Sequence, residues 1–377
     1  MHPIAMANGT TGNGVSKEQG TTMHAPPIVT GEEFHKRAAE RVHDCASDSF
    51  AAFYSSWTDC ITRDASAMVL PMDDHMAHRG HGVFDTAHLH AGKLHMLDRH
   101  VERFFKSMRS ANIDPPFDFE TTKSLILRVA AAGGLREGQL RFYASAGPGG
   151  FALDQSECVK SVFYCISVRK RVPNTESEKP EGVSVVTSKI PIKPPYFATV
   201  KSTNYLPNAL VVADAKKRGV GYGIWLTEDG LHVAEGSSMN VGFVVRKEWD
   251  ENDEKNSKNI TEYIFKTPPW DETLAGCTIA RVVEFVNEGR FAENGLKGPA
   301  VVDKVTVETA KNATEAMLIG SVINCVPIVT WDGEKVGDNV NGAGAVGPIA
   351  VAIRDAIVTD FEINQKELTN IPYDLFE

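Results

Sequence analysis

A proline-rich stretch near the middle of the chain limits the fold more than any other feature of the sequence. The run Ile190-Pro-Ile-Lys-Pro-Pro-Tyr-Phe has three prolines in eight positions. Because proline lacks a backbone N–H group, this run cannot continue a helix or lie inside a central strand. We therefore expect residues 190–200 to connect two halves of an α+β protein of 377 residues.

The patterns on either side of the connector predict how the rest of the chain is divided. Residues 1–29 are rich in Gly, Thr and Asn and predict a disordered tail. Residues 30–66 open with an amphipathic helical pattern behind Thr30, which is a suitable N-cap, and predict a helical extension. Residues 67–189 predict a small α+β domain, and residues 201–377 predict a larger domain of strands and helices.

Individual elements follow from the spacing of apolar residues and from the turn residues between them. We expect helices at 98–110, 118–132, 205–218, 277–288 and 349–360, and strands at 82–89, 139–145, 161–168, 221–227, 241–245, 263–266, 316–319 and 326–331, with a further short strand at 67–70. A turn containing Gly92 indicates a hairpin after the first of these strands.

The charge balance argues against two classes of partner. The chain has 39 Lys and Arg against 49 Asp and Glu, a formal net charge of −10. Nucleic acids and anionic membrane surfaces would therefore repel it. The longest apolar runs, such as residues 343–353, are broken by Gly and Pro and are shorter than the ~20 residues of a membrane helix. We expect neither nucleic acid nor membrane as a partner.

The cysteines and the amino-terminal residues predict an intracellular protein. Six cysteines are scattered without a CxxC pair, so they indicate neither a zinc site nor a disulfide framework, and we expect reduced thiols. The first 27 residues contain no apolar core typical of a signal peptide and no arginine. The expected location is the cytoplasm, with import into a plastid left open.

Two single residues are candidates for catalysis. Lys201 lies in an apolar, β-branched stretch just before a predicted helix, where partial desolvation would favour its neutral, nucleophilic amine. Glu235 is followed by a glycine and two serines, a turn that can offer backbone N–H groups to an anion. An exposed lysine and an ordinary polar hairpin are the structural alternatives.

Three further segments have the composition of a phosphate site. His100 and Arg103 share one helical face at i, i+3, although most such arginines only cover a surface. The segments 276–281 and 318–322 are transitions into helices or loops, whose free N–H groups can receive a phosphate.

Together these segments resemble one family in order and spacing. The most specific motifs are His78-Arg-Gly-His-Gly-Val-Phe-Asp-Thr, His100-x-x-Arg103, Val200-Lys-Ser-Thr-Asn, Glu235-Gly-Ser-Ser-Met-Asn and Gly276-Cys-Thr. They resemble the fold-type IV pyridoxal-phosphate enzymes, or class IV aminotransferases, over about residues 67–362. Within this family, the segments 68–87 and 190–208 look most like the plant-type D-amino-acid transaminases.

The resemblance implies a fold, a cofactor and a set of roles. The fold would be a small α/β domain and a larger β-barrel-like domain with helices, the assembly a homodimer, and the cofactor pyridoxal 5′-phosphate. Lys201 would be the Schiff-base lysine and the catalytic base. The other cofactor-binding positions would be Arg103 on the phosphate, Glu235 at the pyridine nitrogen, Ser238 on the face of the ring, and Cys277, Thr278, Ser321 and Val322 as further phosphate contacts.

The sequence departs from the family pattern at the substrate side. The loop at 146–153 lacks the Arg-x-His pair with which some bacterial relatives bind the substrate carboxylate, and Phe84 stands where several relatives have tyrosine. Arg79 and Arg141 are our candidates for a replacement anchor. The alternative for Arg79 is an ion pair with Asp73 or Asp74.

The predicted function is transamination between a D-amino acid, such as D-alanine or D-aspartate, and a 2-oxo acid, with ping-pong kinetics. The alternatives are an aminodeoxychorismate lyase that forms 4-aminobenzoate and pyruvate, a branched-chain L-amino-acid aminotransferase, and an idle member without cofactor. His78, His81 and His100 are expected to pack around a pocket and not to bind a metal.

Overall fold

The computed structural model describes residues 26–42, 46–169, 182–247, 262–337 and 343–376. The tail predicted for residues 1–29 therefore lies almost entirely outside the described residues. The helices are α1 Gly31–Arg41, α2 His75–Arg79, α3 Leu97–Ser110, α4 Phe119–Gly133, α5 Pro195–Ala198, α6 Leu206–Lys217, α7 Cys277–Asn287, α8 Val307–Lys311 and α9 Pro348–Ile363.

The strands form two sheets. They are β1 Phe50–Ser55, β2 Cys60–Thr62, β3 Gly82–His90, β4 Lys93–His95, β5 Gly138–Ser145, β6 Val162–Arg169, β7 Val183–Thr187, β8 Tyr222–Leu226, β9 His232–Gly236, β10 Asn240–Arg246, β11 Tyr263–Thr267, β12 Val301–Val302, β13 Val305–Thr306, β14 Glu315–Gly320, β15 Asn324–Trp331, β16 Glu334–Lys335 and β17 Leu368–Asn370. The predicted helices and strands are present, with ends that differ by a few residues, except for the strand at 67–70. That prediction was wrong: Ala65–Ala67 is a 3-10 helix, and residues 68–70 belong to no strand.

The first sheet is antiparallel throughout, in the order β17-β4-β3-β5-β6-β1-β2. Helices α3 and α4 pack on one face of it and bury a core that includes Val101, Phe104, Ile126 and Phe142. Helix α4 begins at an N-cap, Asp118, whose carboxylate accepts a hydrogen bond from Thr121 N at 2.7 Å.

Two parts of this sheet differ from the sequence-based expectation. Strands β1 and β2 lie within residues 30–66, where a helical extension was predicted, and the helix there ends at Arg41. Strand β17 comes from the carboxyl-terminal part of the chain, which was assigned to the larger domain, but it pairs with β4 of the first sheet. These strands are fixed by long-range pairing, which a local pattern does not record.

The second sheet is mixed and curves back on itself. Its order is β12-β11-β10-β14-β15-β7-β8-β9-β13, with β16 beside β15, and the pairs β7–β8, β7–β15 and β11–β12 are parallel. The turn between β9 and β10 is closed by a hydrogen bond from Gly236 N to Met239 O at 2.8 Å. Helices α7 and α9 cover the sheet around Phe265, Phe285 and Ile353. Among the described residues, no helix is long and apolar enough to cross a membrane.

A buried ion cluster ties the two sheets together. Asp360 on α9, 3% exposed, accepts hydrogen bonds from His95 Nε2 on β4 at 3.0 Å and from Arg281 on α7 at 2.8 and 3.1 Å. Burial raises the pKa of Asp360, but its hydrogen bonds with His95, Arg281 and Asn364 outweigh that effect and hold the pKa well below its usual range. Asp360 is therefore ionised and joins elements of both halves.

Removing this carboxylate would leave His95 Nε2 and two N–H groups of Arg281 without their acceptor, although Arg281 would keep its contact with Glu284 at 2.7 Å. We expect Asp360→Ala to lower the free energy of unfolding by about 2–3 kcal/mol, since buried donors without a partner are costly. The measurement is urea denaturation, with Asp355→Ala as control, because exposed Asp355 on the same helix pairs with its neighbour Arg354 at the surface. A loss no larger for Asp360→Ala than for Asp355→Ala would contradict the cluster's role.

Candidate active site

A cavity of about 350 Å³ lies between the two sheets. It is bounded by β3 and β5 of the first sheet, by β10 and the β14–β15 turn of the second, and by the start of α7. Nine of the eleven predicted site residues line it: Phe84, Arg103, Arg141, Lys201, Ser238, Cys277, Thr278, Ser321 and Val322. The other two, Arg79 and Glu235, lie elsewhere.

Lys201 follows α5 and is fixed by backbone contacts on both sides. Phe84 N on β3 donates to Lys201 O at 2.9 Å, and Lys201 N donates to Ser107 Oγ on α3 at 3.3 Å. The amine, Nζ, lies 4.7 Å from the centre of the Phe84 ring and donates to the Tyr205 hydroxyl at 3.4 Å. The lysine thus presents its amine to the cavity from a backbone tied to the first sheet.

The opposite end of the cavity has the character of an anion site. Helix α7 begins at Cys277 behind Gly276, which offers no side-chain cap, so the first N–H groups of an 11-residue helix are free for a ligand. A Cβ atom at Gly276 would meet Asn240 Oδ1 at 2.0 Å, so this position requires glycine. Thr278 Oγ1 lies 3.0 Å from Ser321 Oγ, which places two hydroxyl groups beside the helix start.

Arg103 brings a fixed positive charge to the same end. Its Nε and one terminal nitrogen each donate to Asp85 at 2.8 Å, and its other terminal nitrogen donates to Ala275 O at 3.1 Å. Asp85 is fully buried on β3 and is also 2.9 Å from His100 Nδ1. The two-point contact with Asp85 fixes the plane of the guanidinium group.

The charges of this cluster follow from burial and from the neighbouring groups. Burial raises the pKa of Asp85, but the charge of Arg103 and the hydrogen bond from His100 outweigh it and hold that pKa well below its usual range. Burial lowers the pKa of His100, whereas Cys277 and Asp85 raise it, to about 9. Burial raises the pKa of the Cys277 thiol, but the charges of Arg103 and His100 outweigh this effect, so the net direction is downward. Asp85 is therefore ionised, and the guanidinium group of Arg103 balances its charge.

Glu235 lies behind the cavity. It is 5% exposed on β9 and lines a separate cavity of about 20 Å³, which shares Tyr205, Ser238, Met239, Asn240 and Leu274 with the main one. Leu274 N donates to Glu235 Oε2 at 3.3 Å. Burial raises the pKa of Glu235, while Lys193, the hydrogen bond from Leu274 and Lys201 lower it in part, and the net direction is upward.

Aromatic rings and one arginine form the side of the cavity on β3 and β5. The Phe84 ring lies 5.0 Å from that of Tyr205, edge to face, and 5.8 Å from that of Tyr143. The Arg141 guanidinium carbon lies 5.4 Å from the centre of the Phe84 ring. Arg141 Nε is buried and has no hydrogen-bond partner among the described residues. A buried donor without a partner facing a cavity is available to a ligand.

Arg79 is exposed and does not reach this cavity within its own chain. Its guanidinium donates to His78 O at 3.1 Å and to Phe151 O. Asp74 is buried and accepts from Ser145, Met76 and Tyr164, so the alternative ion pair between Arg79 and Asp74 does not form. In the described part of the chain, no group of three His, Cys, Asp or Glu side chains could hold a metal ion.

Sequence reasoning missed several residues at this site. Asp85 orients Arg103, Tyr205 contacts Lys201, and Asn240 donates to Leu274 O at 2.8 Å beside Glu235. Asp85 and Asn240 lie inside motifs already quoted, and Tyr205 directly follows one. The signal was therefore present, but which side chain faces inward depends on the fold.

Solved structures of other proteins share the fold of this chain. A branched-chain amino acid aminotransferase from T.th., crystallised with pyridoxamine 5′-phosphate, superposes with a TM-score of 0.72 at 20% identity, over 85% of this chain and 99% of its own. The Escherichia coli branched-chain enzyme gives 0.70 at 18% identity, over 85% and 99%. At these identities the likeness concerns the fold.

The family follows from the sequence comparisons. A family model described as amino-transferase class IV matches residues 82–331, and the chain belongs to this family of pyridoxal-phosphate-dependent aminotransferases. The chain is 44% identical to the chloroplastic D-amino-acid transaminase of Arabidopsis thaliana over 82% of this chain and 76% of that protein. It is 25% identical to the D-alanine aminotransferase of Bacillus licheniformis over 78% and 92%.

Proposed function

We propose that the protein transfers the amino group of a D-amino acid, such as D-alanine or D-aspartate, to a 2-oxo acid, with Lys201 as the catalytic residue. The observation that carries the proposal is the arrangement of the 350 Å³ cavity, where the Lys201 amine faces an anion site built from Arg103 and the start of α7. The choice of a D-amino acid is supported by the relative at 44% identity, which is named a D-amino-acid transaminase.

The residues present fit pyridoxal 5′-phosphate. A phosphate dianion requires a guanidinium group, free helix-start N–H groups and hydroxyls, and Arg103, Cys277, Thr278, Ser321 and Val322 supply these at one end. Ser238 lies in the wall between the two cavities, where it can contact a bound ring. Glu235, behind that wall, is the carboxylate proposed for the pyridine nitrogen.

When bound, the cofactor supplies an aldehyde for the amino group and a ring that accepts the electron pair left at the substrate Cα. Lys201 Nζ would hold the cofactor covalently. When free, the same amine would act as the general base that takes the proton from the substrate Cα and delivers it again to complete the exchange. The Tyr205 hydroxyl, 3.4 Å from Nζ, holds the amine in position for both transfers.

The substrate class can be tested directly. We expect the purified protein to form pyruvate from D-alanine when a 2-oxo acid acceptor is present. In Lys201→Ala that rate should fall by a factor of at least about 10²–10⁴, because this variant lacks the base. Parallel incubations with L-leucine and with 4-amino-4-deoxychorismate, scored for 4-methyl-2-oxopentanoate and 4-aminobenzoate, test the other two candidate activities.

The result decides among the candidates. Product from L-leucine alone would make the protein a branched-chain aminotransferase, and 4-aminobenzoate would make it a lyase. A protein that takes up no pyridoxal phosphate and shows no absorbance change with borohydride would be an idle member of the family.

We further propose Arg141 as the anchor of the substrate carboxylate, with Phe84 as the apolar wall beside it. The Nε group of Arg141 is buried, lacks a partner among the described residues and lines the same cavity as Lys201. A guanidinium group binds a carboxylate at two points, which also fixes the orientation of the Cα–H bond.

Removing the anchor should weaken amino acid and oxo acid alike. We expect Arg141→Met to raise KM for both substrates by about 10–100-fold, since a hydrogen-bonded charge contributes about 1.5–3 kcal/mol. Steady-state kinetics measure this, with Arg136→Met as control, because exposed Arg136 stacks on Tyr373 outside the cavity. Equal KM values in the two variants would remove Arg141 from this role.

Arg79 leads to a proposal about assembly. It lines a surface cavity of about 400 Å³ together with Leu153, Tyr196 and Phe197, which are 82%, 64% and 57% exposed. Exposed apolar side chains grouped in this way are typical of an interaction surface. We propose that the protein is a homodimer and that Arg79 serves the site of the second subunit, as the second arginine for the substrate.

A mixing experiment distinguishes action across the interface from action within one chain. Arg79→Ala and Lys201→Ala dimers should each be impaired, but after subunit exchange one site in each mixed dimer has both residues. We expect about a quarter of all sites to regain the wild-type KM. A sedimentation run that shows only monomers, or no recovery on mixing, would contradict the proposal.

For location we propose the cytoplasm. The Arabidopsis relative is named as chloroplastic, so import into a plastid is the alternative.

A further inference from the structure

The small cavity behind Glu235 is large enough for one water molecule. Its volume is about 20 Å³, and a cavity needs about 10–15 Å³ to hold one water molecule. Besides the wall that it shares with the main cavity, it is lined by the polar side chains of Glu235, Lys193 and Asn208 and by the apolar residues Ala198 and Val200. A cavity with polar groups on several sides is one that water occupies.

Two hydrogen-bond acceptors at this cavity have room for a further donor. Asn208 is 5% exposed, its Nδ2 donates to Ser237 O, and its Oδ1 is buried with no partner in the described part of the chain. Glu235 is also 5% exposed and accepts from Leu274 N at 3.3 Å, a long contact for a buried carboxylate. Buried acceptors in this state are costly, so a donor is expected in the cavity.

Lys193 is the cation on the far side of the cavity, and its position is well fixed. Its Nζ lies 5.3 Å from the centre of the Tyr205 ring and 5.9 Å from that of Trp225. Trp225 Nε1 donates to Ile190 O at 2.9 Å, which pins the connector to β8. Pro191 and Pro194 restrict the backbone around Lys193, and the two rings give its amine favourable neighbours beside the cavity.

We propose that Lys193 is a positioning residue for Glu235 and acts through one water molecule that fills the cavity between them. The water accepts a hydrogen bond from Lys193 Nζ and donates one to Glu235 and one to Asn208 Oδ1. A lysine amine has only donors and a water has two donors and two acceptors, so this arrangement gives each of the three side chains a partner. The inference rests on the proposed role of Glu235 at the pyridine nitrogen.

The consequence of this arrangement is electrostatic. Glu235 must be ionised to hold a protonated pyridine ring, yet burial raises its pKa, and the charge of Lys193 is the largest effect that opposes burial. The titratable groups facing Glu235 are Lys193 from the connector and Lys201 and Tyr205 from the segment before α6. The residues of β10 and Leu274 on the cavity wall carry no titratable side chain.

The test is the pH dependence of cofactor binding by the full-length protein. Its dissociation constant for pyridoxal 5′-phosphate is measured by absorbance from pH 5 to pH 9, in wild type and in Lys193→Met. Without the cation the carboxyl group of Glu235 is protonated at higher pH, so the loss of affinity on acidification should begin at higher pH. We expect its midpoint to rise by about one pH unit, which is about tenfold in affinity on the acid side.

Lys189→Met is the matched control, because Lys189 directly precedes the connector, is exposed and does not line the small cavity. Its midpoint should equal that of the wild type, because Lys189 does not face Glu235. The cofactor phosphate also titrates in this range, but it does so equally in all variants. Lys193→Arg retains the cation and should bring the midpoint most of the way back to the wild-type value. If Lys193→Met does not fold, Lys193→Gln takes its place. A Lys193→Met midpoint equal to that of Lys189→Met would overturn the inference alone, whereas a wild type that binds no cofactor at any pH would overturn the proposed function as well.

A crystal structure of the cofactor-loaded protein gives a second test. It should show one water within hydrogen-bond distance of Lys193 Nζ, Asn208 Oδ1 and a Glu235 oxygen. A direct contact between Lys193 and Glu235, or a cavity without water, would overturn the water-mediated arrangement.

Discussion

The contact between Asp85 and Arg103 is the interaction on which the rest of the site depends. Asp85 belongs to β3 of the first sheet, and the guanidinium group that it fixes reaches Ala275 O, directly before the helix that opens the anion site in the second half. Because Asp85 is fully buried and ionised, it cannot lose Arg103 without a large desolvation cost. The phosphate end of the cavity is therefore built jointly by both halves, and neither half contains a complete site.

The connector positions Lys201 relative to both sheets. Its prolines stiffen the backbone that leads to Lys201, and the hydrogen bond from Trp225 Nε1 to Ile190 O fixes its start on the second sheet. At its other end, Phe84 N binds Lys201 O and fixes the lysine to the first sheet. A segment anchored at both ends leaves the amine little freedom, which is what proton transfer at a defined distance requires.

The sequence predicted most of the site and less of the topology, for a physical reason. Lys201, Arg103 and Thr278 lie in motifs whose chemistry is local, so their convergence could be expected from the resemblance. Strands β1, β2 and β17 are short and gain their stability from partners far along the chain, so no local pattern reports them. The packing of β9, β10 and Leu274 separates Glu235 from the main cavity, and no sequence motif encodes this packing. The exposure of Arg79 likewise depends on the loop that carries Phe151.

The local charge of the site is opposite to that of the whole chain. The chain carries a formal charge of −10, whereas Arg103, Arg141 and Lys201 line one cavity and Lys193 stands behind it. At an ionic strength of about 0.15 M, charges more than about 8 Å apart are largely screened in solvent, so an anion in the cavity responds to these nearby groups and little to the distant acidic surface. Cofactor and substrates are all anions, and each needs a separate cation. If Arg103 holds the phosphate, Arg141 remains available for a carboxylate. The Nε group of Arg141 has no hydrogen-bond partner among the described residues, which agrees with this division of roles.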